Sequence, residues 1–290
     1  MSGGKLEIVR AGALTTIQDL GRFGHAHVGV PRSGALDQPA HRLANRLVGN
    51  PTDAATLETT LTGVALRATR PVTVVVTGAP APVRIDGRPA AWACPVDLPA
   101  GAVLDVGTAT TGLRSYVAIG GGIAVEPVLG SRSTDLLSGL GPARLGDGDT
   151  LPLGTAVGRP VHADTVHWHQ PPRELVLPVL LGPRDDWFAA AAVRTLATAR
   201  FSVSAHSNRI ALRMEGPTLE RAVHRELPSE GTLPGAVQVP TDGKPVVFLA
   251  DCPTTGGYPV IGVVPEHGLA AAAQAVPGLP VRFAPIRRRR

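Results

Sequence analysis

The residues best suited to chemistry crowd into one stretch, Ser229 to Tyr258, which reads SEGTLPGAVQVPTDGKPVVFLADCPTTGGY. Gly231, Gly235, Gly243, Gly256 and Gly257 alternate there with Ser229, Glu230, Gln238, Thr241, Asp242, Asp251, Thr254 and Thr255. Glycine lets a backbone turn tightly or approach a ligand closely, and polar groups fixed between glycines can orient what is bound. The stretch therefore reads either as the edge of a substrate or nucleotide cleft or as a run of hairpin turns. Gln18, Asp19 and Arg22 form a second polar group in a glycine-edged loop; they could orient a substrate, or Asp19 and Arg22 could pair with each other. A third candidate is Gly130-Ser131-Arg132-Ser133-Thr134. Its N–H groups and hydroxyls can hold an anion and Arg132 can pair bidentately with a phosphate or carboxylate, although an ordinary turn has the same composition. Glu58, in the strand-like run LETTL, is either an edge charge or a buried functional group, and Arg209 in SAHSNRIALRMEG poses the same choice.

Other chemistries find little support. His162, His167, His169 and Asp164 could ligate a metal, but their surroundings read as a linker and no metal site is expected. No Gly-x-Ser-x-Gly elbow and no G-x-x-x-x-G-K-[ST] loop occurs. Cys94 and Cys252 are too few for a disulfide framework, and Cys252 reads as a buried thiol before it reads as a nucleophile.

The 290 residues suggest one large or two ordinary domains. Hydrophobic residues make up 43% and aromatics only 3%, so a sizeable core must be built from Val, Leu, Ala and Ile. The 34 glycines and 28 prolines favour a β-rich chain with frequent turns. The net charge of +5 invites a nucleic-acid partner, but the 28 basic residues less the terminal four arginines leave 24 against 23 acidic ones. A terminal run of like charge reads as a solvated tail, so nucleic acid is not expected. No secretory leader and no apolar run of membrane-spanning length is seen. The expectation is a soluble cytoplasmic protein, off the membrane, with reduced thiols.

Positioning the candidate residues falls to many short strands and few helices. Leu6 to Ala11 reads as a strand, and Thr15 to Asp37 as a long polar loop of functional character. Asp37 caps a helix with Ala40, Leu43, Ala44 and Leu47 on one face, stopped by Gly49-Asn50-Pro51. Strand-like runs follow at 56–61, 64–68, 72–76, 83–85, 103–106 and 114–119, so the first half reads as a barrel or sandwich with one good helix. A linker is expected over 158–172, between lobes at 1–157 and 173–290. The second half reads as a strand over 174–181, a helix over 185–198, strands at 201–204, 210–214, 246–250 and 259–264, a helix over 269–276 and a last strand at 281–285.

As a set, the motifs resemble the allophanate hydrolase subunit 2 family, also called the KipA or biotin-dependent carboxyltransferase family. The likeness rests on Thr16 to Arg22, Gly29 to Pro31, Ser33 to Asp37, Ala44 to Asn50, Leu57 to Gly63, Tyr116 to Gly122 and Gly130 to Thr134. It continues through Ser229 to Gly231, Gly235 to Pro240, Asp242-Gly243, Thr254 to Pro259, and Gln274 with Pro277-Gly278. It implies a mainly β fold of two cyclophilin-like β-barrel lobes with a few short helices. It also implies a KipI-like subunit 1 partner (the B subunit of 5-oxoprolinase), with the A subunit as a further one, and ATP with magnesium as cosubstrate. The expected activity is hydrolysis of a cyclic amide, 5-oxoproline to glutamate, active only as a complex. Phosphorylating the amide oxygen would make a poor electrophile reactive. The alternatives are a carboxyltransferase subunit of a biotin-dependent urea or amide carboxylase, and a KipA-like protein that antagonises a KipI-like inhibitor without turnover. Lys5 and Lys244 are the only lysines, so no biotinylated Met-Lys-Met occurs.

Under this resemblance Glu230, Glu58, Asp37 and Arg209 are the catalytic candidates. Gln18, Asp19, Arg22, Ser33, Arg132, Ser133, Thr134, Ser229, Gln238, Thr254, Thr255, Gly256, Gly257 and Tyr258 are the substrate- or nucleotide-binding candidates. Arg132, Ser133 and Arg209 would donate to anions. One departure stands out: Asn208-Arg209-Ile210-Ala211 replaces a family Asp-Arg-Met-Gly. If that carboxylate serves the chemistry, its loss puts activity in question; if it is structural, Asn can substitute as an acceptor.

Overall fold

The computed structural model describes residues 4–161, 166, 168 and 170–286. His162, Asp164, His167, His169 and the terminal arginines lie outside the described residues. Among the described residues the chain is mainly β with three short α-helices, and it clusters into two compact units. The first comprises 1–23, 33–135 and 139–171; the second comprises 24–32, 136–138 and 172–290.

The first unit holds β1 (Lys5–Arg10), β2 (Leu14–Gln18), helix α1 (Gln38–Val48), β3 (Thr56–Thr60), β4 (Ala65–Ala68), β5 (Val72–Gly78), β6 (Val83–Ile85), β7 (Arg88–Ala90), β8 (Val96–Leu98), β9 (Val103–Val106), β10 (Arg114–Ile119) and β11 (Thr150–Pro152). They form a six-stranded sheet, β11-β1-β4-β9-β6-β7, and a five-stranded one, β2-β3-β10-β5-β8. Leu6, Ile8, Leu66 and Leu104 of the first sheet and Ile17, Leu57, Val74 and Val117 of the second share one apolar core.

Because side chains alternate across a strand, the five-stranded sheet has two different faces. Ile17, Leu57, Val117 and Val76 pair in register as a transverse apolar row toward the core. One residue along, Thr16, Glu58, Tyr116 and Thr77 pair as a polar row on the opposite face. Helix α1 covers that face, with Ala40, Ala44, Leu47 and Val48 against Val75, Tyr116 and Ala118. The helix is well specified locally. Asp37 Oδ1 accepts the Ala40 N–H at 3.0 Å as its N-cap. Gly49 ends it at φ 83, where a Cβ would come 2.5 Å from the Arg159 carbonyl oxygen, so only glycine fits.

The second unit is built from β12 (Leu175–Leu181), helix α2 (Ala190–Thr198), β13 (Phe201–Val203), β14 (Ala211–Glu215), β15 (Glu230–Gly231), β16 (Ala236–Gln238), β17 (Val246–Phe248), β18 (Thr255–Gly256), β19 (Val260–Val263), helix α3 (Glu266–Ala273) and β20 (Pro280–Ile286). Seven of these strands close into a barrel, β12-β19-β16-β17-β14-β13-β20, sealed by the parallel pairing of β12 with β20. Phe201 and Phe283 meet edge to face at 5.4 Å inside it. β15 and β18 pair outside the barrel, Glu230 opposite Gly256 and Gly231 opposite Thr255. Among the described residues no helix is long and apolar enough to cross a membrane.

Three local expectations change. The polar loop expected from Thr15 contains β2, whose Thr and Gln side chains are buried against α1's polar layer and so disguise a strand. The helix expected over 185–198 is a 3-10 turn, Asp185–Trp187, followed by α2. Phe188 bridges to Arg221 and the Ala189 N–H donates to the Glu220 carbonyl, which draws the chain out into extended backbone between them. The helix expected over 269–276 starts earlier, at Glu266 after Pro265.

We expect Leu57→Ala, which empties a fully buried site in β3, to cost about 3 kcal/mol in urea unfolding. Val176→Ala on β12, 43% exposed, should change stability by less than about 0.5 kcal/mol.

Candidate functional site

In the first unit the polar row is a hydrogen-bonded chain. Tyr116 Oη donates to Glu58 Oε2 at 2.8 Å and accepts the Asp37 N–H at 2.7 Å. The Leu36 N–H donates to the same Glu58 oxygen at 3.0 Å, and Arg114 Nε lies 3.8 Å from the other. Glu58 is thus the buried group of the two possibilities its sequence left open, 1% exposed, with two donors on one oxygen and the Arg114 guanidinium near the other. Burial, and next the charges of Glu58 and Asp37, raise the Tyr116 hydroxyl well above its ordinary range, so it stays a proton donor. On the buried side of α1, His41 Nδ1 lies 2.9 Å from Thr56 Oγ1. Burial pushes His41 down to about 4 against the opposing pull of the Asp19 and Glu58 carboxylates, so the imidazole is neutral.

The Gly130-to-Thr134 loop does bind an anion, and the anion is Asp19. Ser131 Oγ and Ser133 Oγ each donate to Asp19 Oδ1 at 2.6 Å, the Gly21 N–H donates to it at 2.8 Å, and the Arg132 N–H donates to Oδ2 at 2.6 Å. Burial alone would raise this carboxyl; the two hydroxyls and two N–H groups outweigh it and hold the pKa below the ordinary value. The carbonyls of the same loop are gripped as well. Arg22 donates through Nε to the Val128 carbonyl at 3.2 Å and through Nη2 to that of Ser133. Gln18 Nε2 and Ser33 Oγ donate to the Thr134 carbonyl at 2.9 and 3.0 Å. Arg132 Nε donates to the Val125 carbonyl at 2.7 Å. Asp19 and Arg22 therefore hold one loop rather than each other.

In the second unit Arg209 and Asp251 form a two-pronged buried pair, Nε to Oδ2 and Nη2 to Oδ1, both at 3.0 Å. Asp251 Oδ2 also accepts the Leu136 N–H at 3.3 Å. Asn208 Oδ1 accepts the N–H groups of Ile210 at 2.8 Å and Ala211 at 3.2 Å. The residue that departs from the family pattern thus closes a turn as a pure acceptor, a task Asn performs as Asp would.

The Glu230 edge is more open. Arg184 Nε donates to both Glu230 oxygens at 3.0 and 3.1 Å and Nη2 joins them, with the two side chains 37% and 32% exposed. The hydrogen bonds from Arg184 hold the Glu230 carboxyl below its ordinary value, so it is an anion at neutral pH. Gln238 Nε2 donates to the Tyr258 carbonyl at 3.0 Å, and a Cβ at Gly256 would come 2.7 Å from that nitrogen. The backbone of Thr254 accepts the Thr232 N–H at 2.9 Å. Ser229, Thr255, Gly257 and Tyr258 are exposed.

The candidate residues thus fall into a buried group in the first unit (Gln18, Asp19, Arg22, Ser33, Asp37, Glu58 and the 132–134 loop), the open Glu230 edge in the second, and Arg209, which is buried with Asp251. Arg184, Arg221, Ser131, Asp251 and Tyr116 join them. Tyr116 stands in a motif already quoted and Asp251 in the opening stretch, but nothing near Arg184 or Arg221 in sequence marks them, since their partners are Glu230 and Tyr258. An open groove of about 470 Å³ in the first unit, lined by Val48, Arg70, Thr73, Asp97 and Pro160 among others, contains none of the candidate residues. Among the described residues no three His, Cys, Asp or Glu side chains come together to hold a metal ion.

The model of the carboxyltransferase domain, subdomain A and B, matches residues 28–285. The chain is 39% identical over 284 residues to the C subunit of 5-oxoprolinase from Escherichia coli (strain K12), covering 96% of this chain and 90% of that protein. It is 32% identical over 309 residues to urea amidolyase of Saccharomyces cerevisiae, covering 97% of this chain but only 16% of that much longer one. The crystal structure of TTHA0988 superposes with a TM-score of 0.87 at 33% identity, covering 98% of this chain and 56% of that one.

Two outcomes follow from the first unit's charges. Asp19→Asn should cost about 2–4 kcal/mol at pH 7, since it replaces a buried carboxylate held by four donors. A lowered carboxyl stabilises above its unfolded value and loses that stabilisation below it. The gap between Asp19→Asn and wild type in urea midpoint should therefore close as the pH falls below about 3.8. For His41 the unfolded chain takes up a proton near 6.5 while the folded one waits until about 4. Stability should thus drop between these pH values by up to about 3 kcal/mol, and His41→Gln should flatten that part of the curve.

Proposed function

Because the chain belongs to the family of carboxyltransferase domains with subdomains A and B, we propose that it is the C-type subunit of a cytoplasmic, ATP-dependent complex that opens 5-oxoproline to glutamate. The observation that carries this reading is the match to a 5-oxoprolinase C subunit across 90% of that protein's length. The partners would be a KipI-like B subunit and an A subunit.

The geometry supports distinct roles. Glu230 is an anion aligned by Arg184 at an open edge, which suits a base or a group that orients a lactam N–H, and does not suit a proton donor. Gln238, Thr254, Thr255 and Tyr258 border it as positioning groups. Glu58, aligned by Tyr116, and Asp37, which caps α1, act in the first unit on the placement of 33–37. The first unit's donors do not fit the phosphates of ATP: Ser131, Ser133 and the Arg132 N–H converge on Asp19. Arg209, in turn, clasps Asp251. ATP, with its magnesium, is therefore assigned to the partner subunits.

Carboxyl transfer is the second reading, favoured by the urea amidolyase likeness. Biotin would then be carried outside these 290 residues, as neither Lys5 nor Lys244 lies in a biotin-acceptor motif. The non-catalytic KipA-like role predicts partner binding that is indifferent to Glu230.

The purified complex should release phosphate from ATP only when 5-oxoproline is present, and Glu230→Gln should lower kcat about 100-fold. Stimulation by urea and bicarbonate with a biotinylated carrier, and none by 5-oxoproline, would move the assignment to carboxyl transfer. An unaltered cellular phenotype for Glu230→Gln, with partner binding kept, would favour the KipA-like role.

A further inference from the structure

The open groove of the first unit lies at one edge of the five-stranded sheet. Val72 and Val74 of β5 face the apolar core and Val75 faces α1, so Thr73 faces the α1 side as well. Asp97 stands opposite Thr73 on the edge strand β8, and Thr73 Oγ1 donates to Asp97 Oδ1 at 3.2 Å. The groove is built over these two residues, beside Val48 at the end of α1. Its volume of about 470 Å³ is that of a small-molecule pocket.

The charged groups that line it are one cation and one anion, Arg70 and Asp97. Solvent reaches both, since Asp97 is exposed and Arg70 half-buried. Neutral partners hold each in place. Arg70 donates through Nη2 to the Gly154 carbonyl at 2.7 Å and through Nη1 to the Pro71 carbonyl at 3.3 Å, while Thr73 steadies Asp97. Among the described residues neither forms an ion pair, with the other or with a third group. Three of the five guanidinium N–H groups and the second Asp97 oxygen keep hydrogen-bonding capacity to offer. Both charges are thus fixed, accessible and not neutralised. The remaining wall is largely aliphatic, with Pro71, Leu98, Pro99 and Pro160.

A ligand that satisfies such a groove carries one negative and one positive group on a small aliphatic body. A peptide strand added to the open edge of β8 would be a different occupant. Pro95 and Pro99 bracket the three residues of β8, and proline at a sheet edge discourages strand addition. We propose that the groove binds a free aliphatic amino acid as its zwitterion, with Arg70 taking the carboxylate, Asp97 the ammonium group, and the prolines, Val48 and Leu98 the side chain. None of these residues belongs to the catalytic set proposed above, so the occupant is a second ligand of the chain, whichever reaction the complex performs.

The test is NMR saturation transfer and calorimetry on the full chain with L-leucine. 4-Methylpentanoate lacks the ammonium group and isopentylamine lacks the carboxylate; each should bind at least about tenfold more weakly than leucine, the loss of one charge-assisted contact. Asp97→Asn should weaken leucine by a similar factor and leave 4-methylpentanoate unchanged. Arg70→Gln should weaken leucine and leave isopentylamine unchanged. Arg70 also grips Gly154, so Asp97→Asn, at an exposed position, decides the matter if Arg70→Gln fails to fold. L-Glutamate, whose second carboxylate meets no second cation, should bind more weakly than leucine. Equal or tighter binding of glutamate would overturn the aliphatic assignment. N-acetyl-leucinamide, a peptide unit without either charge, binding as tightly as leucine would overturn the proposal in favour of a peptide groove. No saturation transfer from leucine, or a leucine affinity that Asp97→Asn does not alter, would overturn it outright.

Discussion

Asp19 places a negative charge where water hardly reaches, and its neighbours are arranged to meet it. Removing a carboxylate from water costs several kcal/mol unless donors replace the hydration. Here they come from both ends of a long sequence interval: Gly21 just after β2, and Ser131, Arg132 and Ser133 more than a hundred residues on. The loop's N–H groups and hydroxyls thus face an acid. Its carbonyls face a base and two neutral donors, Arg22, Gln18 and Ser33. A loop with no regular structure of its own is held on both of its hydrogen-bonding sides, and β2, the 33–37 turn and α1 are placed with it.

The two Arg–carboxylate pairs of the second unit differ in what they can do. Arg209 and Asp251 are 1% and 0% exposed and satisfy each other with two parallel hydrogen bonds, so no small ligand competes for either. Arg184 and Glu230 have similar chemistry but stand about one-third exposed. Water screens that pair and weakens it, which makes it exchangeable. The buried pair is part of the frame, and the open pair is reached by solvent.

Much of the frame could be read from residue order. Helix α1 was legible to the residue because its cap, apolar face and terminating glycine are all local, and so was β10, a run of six with no interruption. What failed did so where distant chain intervened. β2 carries buried Thr and Gln because a polar layer lies over it, which no periodicity of apolar residues can reveal. The segment after Asp185 leaves the helix because Arg221 and Glu220 pair with it. In the site, the Gly130-to-Thr134 loop has the composition of an anion binder, and Arg209 has the chemistry of one. Composition cannot reveal that their anions are Asp19 and Asp251, since each pair closes over a long stretch of intervening chain. Arg184 and Arg221 went unmarked for the same reason.

The two transverse rows of the five-stranded sheet also restrict how this chain can change length. In β3, Leu57 faces the core and Glu58 faces α1, and the neighbouring strands match that alternation residue for residue. Removing one residue inside β3 would exchange the faces, driving a carboxylate into the apolar core and a leucine into the polar layer. Removing two would preserve both. The strand is thus constrained in parity more than in length, and single-residue insertions or deletions in this unit belong in its turns.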